Sequence, residues 1–164
     1  MTVPSTDCII RTTTLRAPQE RVWRAISHAQ EFGTWFGVEL DGAFVPGARI
    51  SARIVPTKVD PDVARMQEPH VGTPFDIFVE RVEPMRLLAF RWHPYAVEPA
   101  DYSREPTTLV VFELEAVSDG TVLTITESGF DAIPLARRAE AFASNEHGWT
   151  TQLTLIEQFL AQRP

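Results

Sequence analysis

The sequence predicts an α+β fold in which a curved antiparallel sheet packs against one long C-terminal helix. Three observations support this class. A strand-like segment opens the chain, six further segments have strand periodicity and short connections, and the last thirty residues repeat apolar side chains at helical spacing. A sheet with a helix on one face forms two layers around one core. Such curvature leaves an internal space wherever the lining side chains do not fill it.

The first part of the chain is predicted to contain a strand and two short helices. β-branched residues dominate Cys8 to Leu15, which favours a strand. Pro18 then begins a helix, because its fixed φ suits the first helical position. Residues 31–36 are predicted to form a second short helix, which Gly37 ends.

Turn signals divide the middle of the chain into six predicted strands. The dipeptides Asp41-Gly42, Pro46-Gly47, Glu83-Pro84 and Asp119-Gly120 separate segments with strand periodicity. Short connections between consecutive strands imply an antiparallel meander. The predicted strands are 38–44, 49–55, 74–82, 87–93, 107–117 and 121–128.

Two proline-rich segments, 56–72 and 94–106, are predicted to be loops. Proline removes donors from a strand ladder and fixes φ, so these segments should be stiff rather than extendable. Long loops on a compact scaffold often carry function.

The terminal helix carries an acidic residue in the middle of its apolar stripe. Glu146 lies between Phe142 and Trp149. A carboxylate among large apolar groups requires a partner, water or a cavity, so we interpret this face as the lid of a pocket. The alternative is a position at the helix edge, from which the side chain reaches solvent. The stripe comprises Leu135, Ala139, Phe142, Glu146, Trp149, Leu153, Ile156 and Leu160.

Composition and charge indicate a soluble globular protein with one domain, 1–164. The chain is 44% hydrophobic and 23% charged. Its net charge of -7 repels phosphate backbones and anionic lipid, so we expect neither nucleic acid nor a membrane as a partner. The single Cys8 cannot form an internal disulfide. Residues 1–7 lack the features of a secretory signal, and we expect a cytoplasmic location.

Several short motifs match a known family. The matching residues are Ala17-Pro18, Trp35-Phe36, Pro46-Gly47, Glu127-Ser128-Gly129-Phe130, Asn145 and Gly148-Trp149. Together with the order of elements, they resemble the helix-grip superfamily related to START lipid-binding domains (SRPBCC). Within it, they resemble the AHSA-like homologues of the heat-shock chaperone ATPase activator. The resemblance implies a helix-grip fold. It also implies enzymes such as cyclases and dehydratases on the same scaffold.

Two glutamates and one amide are candidates for polar contacts in the pocket. Glu127 shares a strand face with Leu123 and Ile125. With Glu146 it would place two carboxylates near one cavity and supply a general acid or base. Alternatively, Glu127 accepts hydrogen bonds from backbone or an arginine and fixes a strand-to-helix corner. Asn145 either positions a polar ligand group or bonds a loop.

Aromatic side chains are candidates for the pocket wall. Flat, rigid rings bind apolar or aromatic ligands, although such residues more often form a core. An open space of about 300 Å³ or more supports a ligand, whereas a filled interior supports the core interpretation. The candidates are Trp35, Phe36, Phe75, Phe90, Trp92, Phe142 and Trp149.

The leading hypothesis is a protein that binds a small, largely apolar or aromatic molecule between sheet and helix, without a cofactor. The second is an enzyme on the same scaffold that uses Glu127 or Glu146 as base and His93 or Tyr95 as acid. The third is an interaction module whose partner is a chaperone or a second copy of the chain.

Several other site classes are not expected. The four histidines show no pair at metal-ligand spacing, and there is one cysteine, so no metal site is predicted. The sequence has no glycine-rich phosphate loop and no serine nucleophile elbow. Arg91 and His93 alternate with Phe90 and Trp92, and the sequence leaves open which pair faces inward.

Overall fold

The computed structural model describes residues 6–96 and 101–164, which form one seven-stranded antiparallel sheet packed against helices. The strands lie in the order β1-β7-β6-β5-β4-β3-β2. The predicted α+β, helix-grip class is confirmed. The elements are β1 (Cys8–Leu15), α1 (Gln19–Ser27), α2 (Ala29–Phe36), β2 (Val38–Leu40), β3 (Arg49–Ile54), α3 (Pro61–Gln67), β4 (Pro74–Glu83), β5 (Leu87–Trp92), β6 (Thr108–Val117), β7 (Gly120–Ser128) and α4 (Leu135–Gln162).

The core lies between the inner face of the sheet and the helices. Strand alternation buries every second side chain of β7, including Leu123, Ile125 and Glu127. Phe90 and Phe112 of the central strands are completely buried. An irregularity in the β4–β5 register between Val79 and Arg81 is of the kind that bends a strand and contributes to the curvature of a sheet.

Two glycines allow α2 and β2 to approach closely. A Cβ atom at Gly33 would lie 2.3 Å from the carbonyl oxygen of Val38, so a larger residue would force the two elements apart. Gly37 has a φ of 90°, in the left-handed region, and ends α2. This sharp corner places Phe36 at the end of the helix, close to the inner face of the sheet.

The segment 56–72 contains a helix, so the prediction of a continuous loop is wrong. Asp60 accepts hydrogen bonds from the backbone nitrogens of Asp62 (2.9 Å) and Val63 (3.2 Å). Pro61 occupies the first helical position, where it needs no donor. The start signal was therefore present as Asp60-Pro61, but the number of prolines favoured a loop. A short 3₁₀ turn, Glu68–His70, follows α3.

Polar contacts rather than a buried face hold α3 in place. None of its residues is buried. Gln67 accepts a hydrogen bond from the Thr57 backbone nitrogen (2.7 Å), and Gln158 of α4 donates to Asp60 (3.0 Å). The bond from Gln158, followed by that from the Val63 backbone, holds the pKa of Asp60 below its usual range. The helix is thus attached at its two ends.

The buried face of α4 differs from the predicted stripe at its N-terminal end. Leu135 is 81% exposed, and Ala139 is also exposed. A stripe that repeats every 3.5 residues drifts by about 20° per seven residues around a straight helix. If the stripe faces the core at Ile156, this drift has turned it away from the core at Leu135, near the other end of the helix. The residues that are buried are Ala141, Trp149, Leu155, Ile156, Phe159 and Leu160.

The remaining boundaries are close to the predictions. β2 ends at Leu40, earlier than the predicted 44, and the strand ends predicted at 55, 82 and 93 shift by one residue. The described parts of 94–106 contain no helix or strand, and residues 97–100 lie outside the described residues. No helix in the described part of the chain has the length and apolarity needed to cross a membrane.

Candidate ligand-binding site

An open cleft of about 370 Å³ lies between α3, α4 and the ends of strands β3, β4 and β5. The end of α2 closes one side, and the residues that follow β5 form part of another. Its walls are mainly apolar. The large apolar side chains in the lining are Phe36, Val38, Ile54, Val63, Met66, Phe75, Trp92 and Tyr95.

Two other depressions on the molecule lack this character. One, of about 480 Å³, lies beside α2 and β2, and one of about 830 Å³ lies around the β6–β7 turn. No aromatic ring from the described residues lines either of them. The cleft is therefore the better candidate for a ligand that needs flat apolar walls.

Of the predicted aromatic wall, Phe36, Phe75 and Trp92 line the cleft. Trp35 and Phe90 do not, because both are completely buried in the core. The space under that part of the sheet is filled, and the opening lies at one end of the molecule.

The remaining two aromatic candidates also lie outside the cleft lining. Phe142 packs its ring edge-on against Phe130, with centroids 5.0 Å apart. Trp149 is 2% exposed and lies behind the cleft wall.

Trp92 is the centre of an aromatic cluster at the base of the cleft. Its ring stacks on Trp149, with centroids 5.6 Å apart and planes 21° from parallel. Phe90 meets it edge-on at 5.3 Å, and Phe36 and Phe75 approach to 6.1 Å. Offset stacks and edge-to-face contacts are the favoured arrangements of aromatic pairs. The cluster gives the cleft a rigid floor.

A buried carboxylate holds this floor in place. Glu127 is 0% exposed and accepts hydrogen bonds from four side chains. Trp92 Nε1 (2.7 Å) and Thr108 Oγ1 (2.6 Å) donate to its Oε2 atom. Asn145 Nδ2 (2.9 Å) and Trp149 Nε1 (2.8 Å) donate to its Oε1 atom. We call these five residues the Glu127 cluster.

The Glu127 cluster ties four elements together behind the cleft wall. Its members come from β5, β6, β7 and α4. A buried carboxylate is tolerated only when its oxygens are fully hydrogen-bonded. Trp92 and Asn145 also line the cleft, whereas Glu127 does not. Glu127 therefore matches the alternative interpretation, in which it accepts hydrogen bonds and holds elements together. Its donors, however, are two indoles, an amide and a hydroxyl rather than backbone groups or an arginine.

Glu146 lies outside the cleft lining. Its side chain is 46% exposed and pairs with Arg11 of β1 across 3.4 Å. This is the solvent-reaching alternative, and the two glutamates do not share one cavity. The inward polar position of α4 belongs instead to the preceding residue, Asn145.

Arg91 and the ring of His93 both lie toward the outer face of the sheet, although His93 also borders the cleft. Arg91 Nε donates to Glu80 (2.7 Å) on the outer face of the sheet. His93 follows the end of β5, and its ring packs edge-on against Phe78, with centroids 6.5 Å apart. Its Nε2 lies 3.0 Å from the carbonyl oxygen of Glu105, and the residue borders the cleft. Tyr95 also lines the cleft. No carboxylate from the described residues lines it, so the acid–base set of the enzyme hypothesis is not assembled there.

Six polar lining residues were not identified from the sequence: Gln67, His70, Ser144, His147, Thr151 and Gln152. Gln67 and His70 belong to the segment predicted to be a loop. Gln152 donates to the carbonyl oxygen of Phe36 (3.1 Å), while its own Oε1 is buried without a hydrogen-bond partner. The spacing of Gln152 from Asn145, two helical turns, was the available signal.

Within the described residues, no group of three or more His, Cys, Asp or Glu side chains could hold a metal ion.

Residues 16–161 match the family model described as "Activator of Hsp90 ATPase homolog 1-like protein". No curated protein sequence shows significant similarity to the chain.

Solved structures share the fold at low sequence identity. A protein from Mesorhizobium loti is 20% identical, with a TM-score of 0.70, over 96% of this chain and 98% of that one. The Aha1 dimer from Colwellia psychrerythraea is 17% identical, with a TM-score of 0.62, over 92% of each chain. DynU16, a protein of the dynemicin biosynthetic locus, is 24% identical, with a TM-score of 0.67, over 96% of this chain. The match covers 48% of DynU16, so this chain spans about half its length.

Proposed function

This chain belongs to the family of Activator of Hsp90 ATPase homolog 1-like proteins, and we propose that it binds a small, largely apolar ligand in the cleft between its curved sheet and α4. The observation that carries the proposal is the cleft of about 370 Å³ with an aromatic floor. Small-molecule sites have volumes of about 300–1,000 Å³ and mostly apolar walls with a few polar groups.

The aromatic floor supports the binding of a flat apolar molecule. Trp92 is held by its stack on Trp149 and by its hydrogen bond to Glu127. A surface that is already rigid loses little conformational entropy when a ligand binds. Phe36 and Phe75 flank Trp92 and provide further ring surface.

Two amides provide polar contacts for one end of the ligand. The Nδ2 group of Asn145 is committed to Glu127, which leaves Oδ1 as the atom that Asn145 offers to the cleft. Gln152 lies two helical turns away and also lines the cleft.

DynU16, which shares the fold, comes from a biosynthetic locus, and this supports a small molecule rather than a polymer as the ligand class.

An NMR titration with naphthamide, a neutral aromatic probe, tests the proposal. The chain has four tryptophans, and each indole N–H gives its own signal. We expect saturable shifts of the Trp92 and Trp149 indole signals. The Trp35 indole donates to the Ala25 carbonyl in the core and serves as an internal control.

A pair of adjacent substitutions localises the binding. Thr151 lines the cleft, whereas Thr150 is exposed on another face and accepts from Arg11. Thr151→Phe should fill the cleft and weaken binding at least about tenfold, and Thr150→Phe should change it by less than about twofold. Absence of saturable binding, or equal effects of the two variants, would show that the cleft is not the site.

A second copy of the chain is also proposed as a partner. The support is the dimeric state printed for the Aha1 structure from Colwellia psychrerythraea. Light scattering over a range of concentrations tests it, and a monomer mass throughout would reject it. A chaperone partner is supported only by the family description and is tested by a pull-down with purified chaperone.

A further inference from the structure

Three of the chain's four histidines line the cleft, and among the described lining residues they are the side chains that can gain a positive charge near neutral pH. His70 follows α3, His93 follows β5 and His147 lies on α4. No Asp, Glu, Lys or Arg from the described residues contributes to the lining. Elsewhere the surface is highly charged, with ten ion pairs in the described part of the chain, such as Arg49–Asp76 and Arg53–Glu39.

We propose that the cleft takes an apolar, ring-bearing acid with one carboxylate at its mouth, and that His70 and His147 bind this carboxylate more tightly when they are protonated. This inference rests on the proposed function, because it specifies the ligand class of the same cleft. A neutral imidazole donates one N–H and an imidazolium donates two, so the same side chains recognise a carboxylate with a strength that depends on pH.

The surroundings of each histidine decide which of them can respond to a ligand. His93 is engaged with the Glu105 carbonyl oxygen. It also interacts electrostatically with the carboxylate of Asp101. A positive charge on His93 would therefore be partly balanced already, and His93 does not carry the proposal.

His70 and His147 are exposed at the mouth of the cleft. The nearest acidic residues along the chain are Glu68, two positions before His70, and Glu146, which is paired with Arg11 on another face. The side chains of α3 and α4 that share the lining are uncharged, and include Gln67 and Thr151. No carboxylate from the described residues lines the cleft, so a carboxylate of the ligand would be an anionic partner for both imidazoles there.

The lining residues that the structure describes include no permanent cation, and this restricts the ligand class. Phosphate and other polyanions are usually held by arginine or lysine. The net charge of -7 further disfavours a multiply charged anion. A single carboxylate on an apolar body fits both the ring-lined floor and the histidines at the mouth.

A matched pair of probes separates this inference from apolar binding alone. Naphthoic acid and naphthamide have the same ring system, and the acid remains ionised between about pH 5.8 and about pH 8.0. The charge of each probe is then constant over the interval, so a change in affinity must come from the protein. We expect the acid to bind about tenfold more tightly at the lower pH, and the amide to change by less than about twofold.

The fourth histidine provides the control variant. His28 lies between α1 and α2, away from the cleft. In the double variant His70→Gln/His147→Gln, the ratio of acid affinity to amide affinity should no longer depend on pH, whereas in His28→Gln it should keep the pH dependence of the parent protein. If the double variant keeps the tenfold change, or acid and amide share one pH profile, the inference is wrong while the proposed function stands. If neither probe binds the parent protein, both are rejected.

Discussion

Replacing Glu127 is expected to lower the free energy of unfolding far more than replacing Glu146. Glu127→Leu leaves two indoles, one amide and one hydroxyl without the acceptor they share. Each buried donor without a partner costs about 1–3 kcal/mol. Asn145 borders the cleft and the Thr108 hydroxyl can rotate, so the two indoles carry most of the cost. We expect a total loss of about 3–5 kcal/mol.

A more conservative substitution identifies the physical cause. Glu127→Gln keeps one acceptor oxygen, but its NH₂ group faces at least one of the donors. Thr108 can turn and accept, which leaves one indole unpaired at a cost of about 1–3 kcal/mol. Trp92→Phe removes an indole donor, so Glu127→Gln costs less in its presence. The free energy of unfolding of the double variant Glu127→Gln/Trp92→Phe should therefore exceed the additive expectation by about 1 kcal/mol or more.

Urea unfolding followed by far-UV circular dichroism measures these free energies. Glu146→Gln is the matched control, because its exposed ion pair with Arg11 should contribute about 0–1 kcal/mol. Near-UV circular dichroism reports the stacked rings of Trp92 and Trp149, and this signal should fall in Glu127→Gln. The reasoning is refuted if Glu127→Leu and Glu146→Gln have the same stability, or if the double variant is strictly additive.

Three further predictions concern the elements around the cleft. Gly33→Ala should destabilise by about 1–3 kcal/mol in urea unfolding, because the new Cβ meets the first carbonyl of β2; an unchanged midpoint would contradict it. Gln67→Ala removes the acceptor for the Thr57 backbone nitrogen and should increase hydrogen exchange in α3 but not in α4. Because the pKa of folded Asp60 lies below its usual value, its contribution is present above the unfolded pKa and is lost as the pH falls through the folded one. Acid should therefore lower the protection of α3 against hydrogen exchange, measured relative to the intrinsic rate at each pH, and Asp60→Asn should remove that pH dependence; the same dependence in both proteins would refute the assignment.

Local sequence patterns were sufficient to predict most elements of the fold. β1 has the predicted bounds, and Gly120 begins β7 directly after the two-residue β6–β7 connection, where Asp119-Gly120 predicted a tight turn. Alternation along β7 also placed Glu127 on the face shared with Leu123 and Ile125. These features depend on φ preferences and on side-chain period, which neighbouring residues determine.

Helix α3 and the phase of α4 show where local patterns were insufficient. In α3 the cap at Asp60-Pro61 was outweighed by the proline content, and the helix has no buried face to produce a periodic signal. In α4 the apolar repeat drifts around the helix, so it indicated Glu146 rather than Asn145 as the inward residue. Only the packing of Trp149 and Ile156 against the sheet determines which side of the helix faces the cleft.

The sequence by itself determined the strands, the long helix and the candidate residues, because these follow from interactions within a few positions of the chain. The tertiary structure decided how the candidates combine. Trp92 and Thr108 pair across β5 and β6, and Glu127 pairs with Val110 one strand further on. Strand order and register bring these residues together, and α4 adds Asn145 and Trp149. A short-range sequence pattern cannot predict that these residues come into contact, because the contact depends on how distant segments pair and pack.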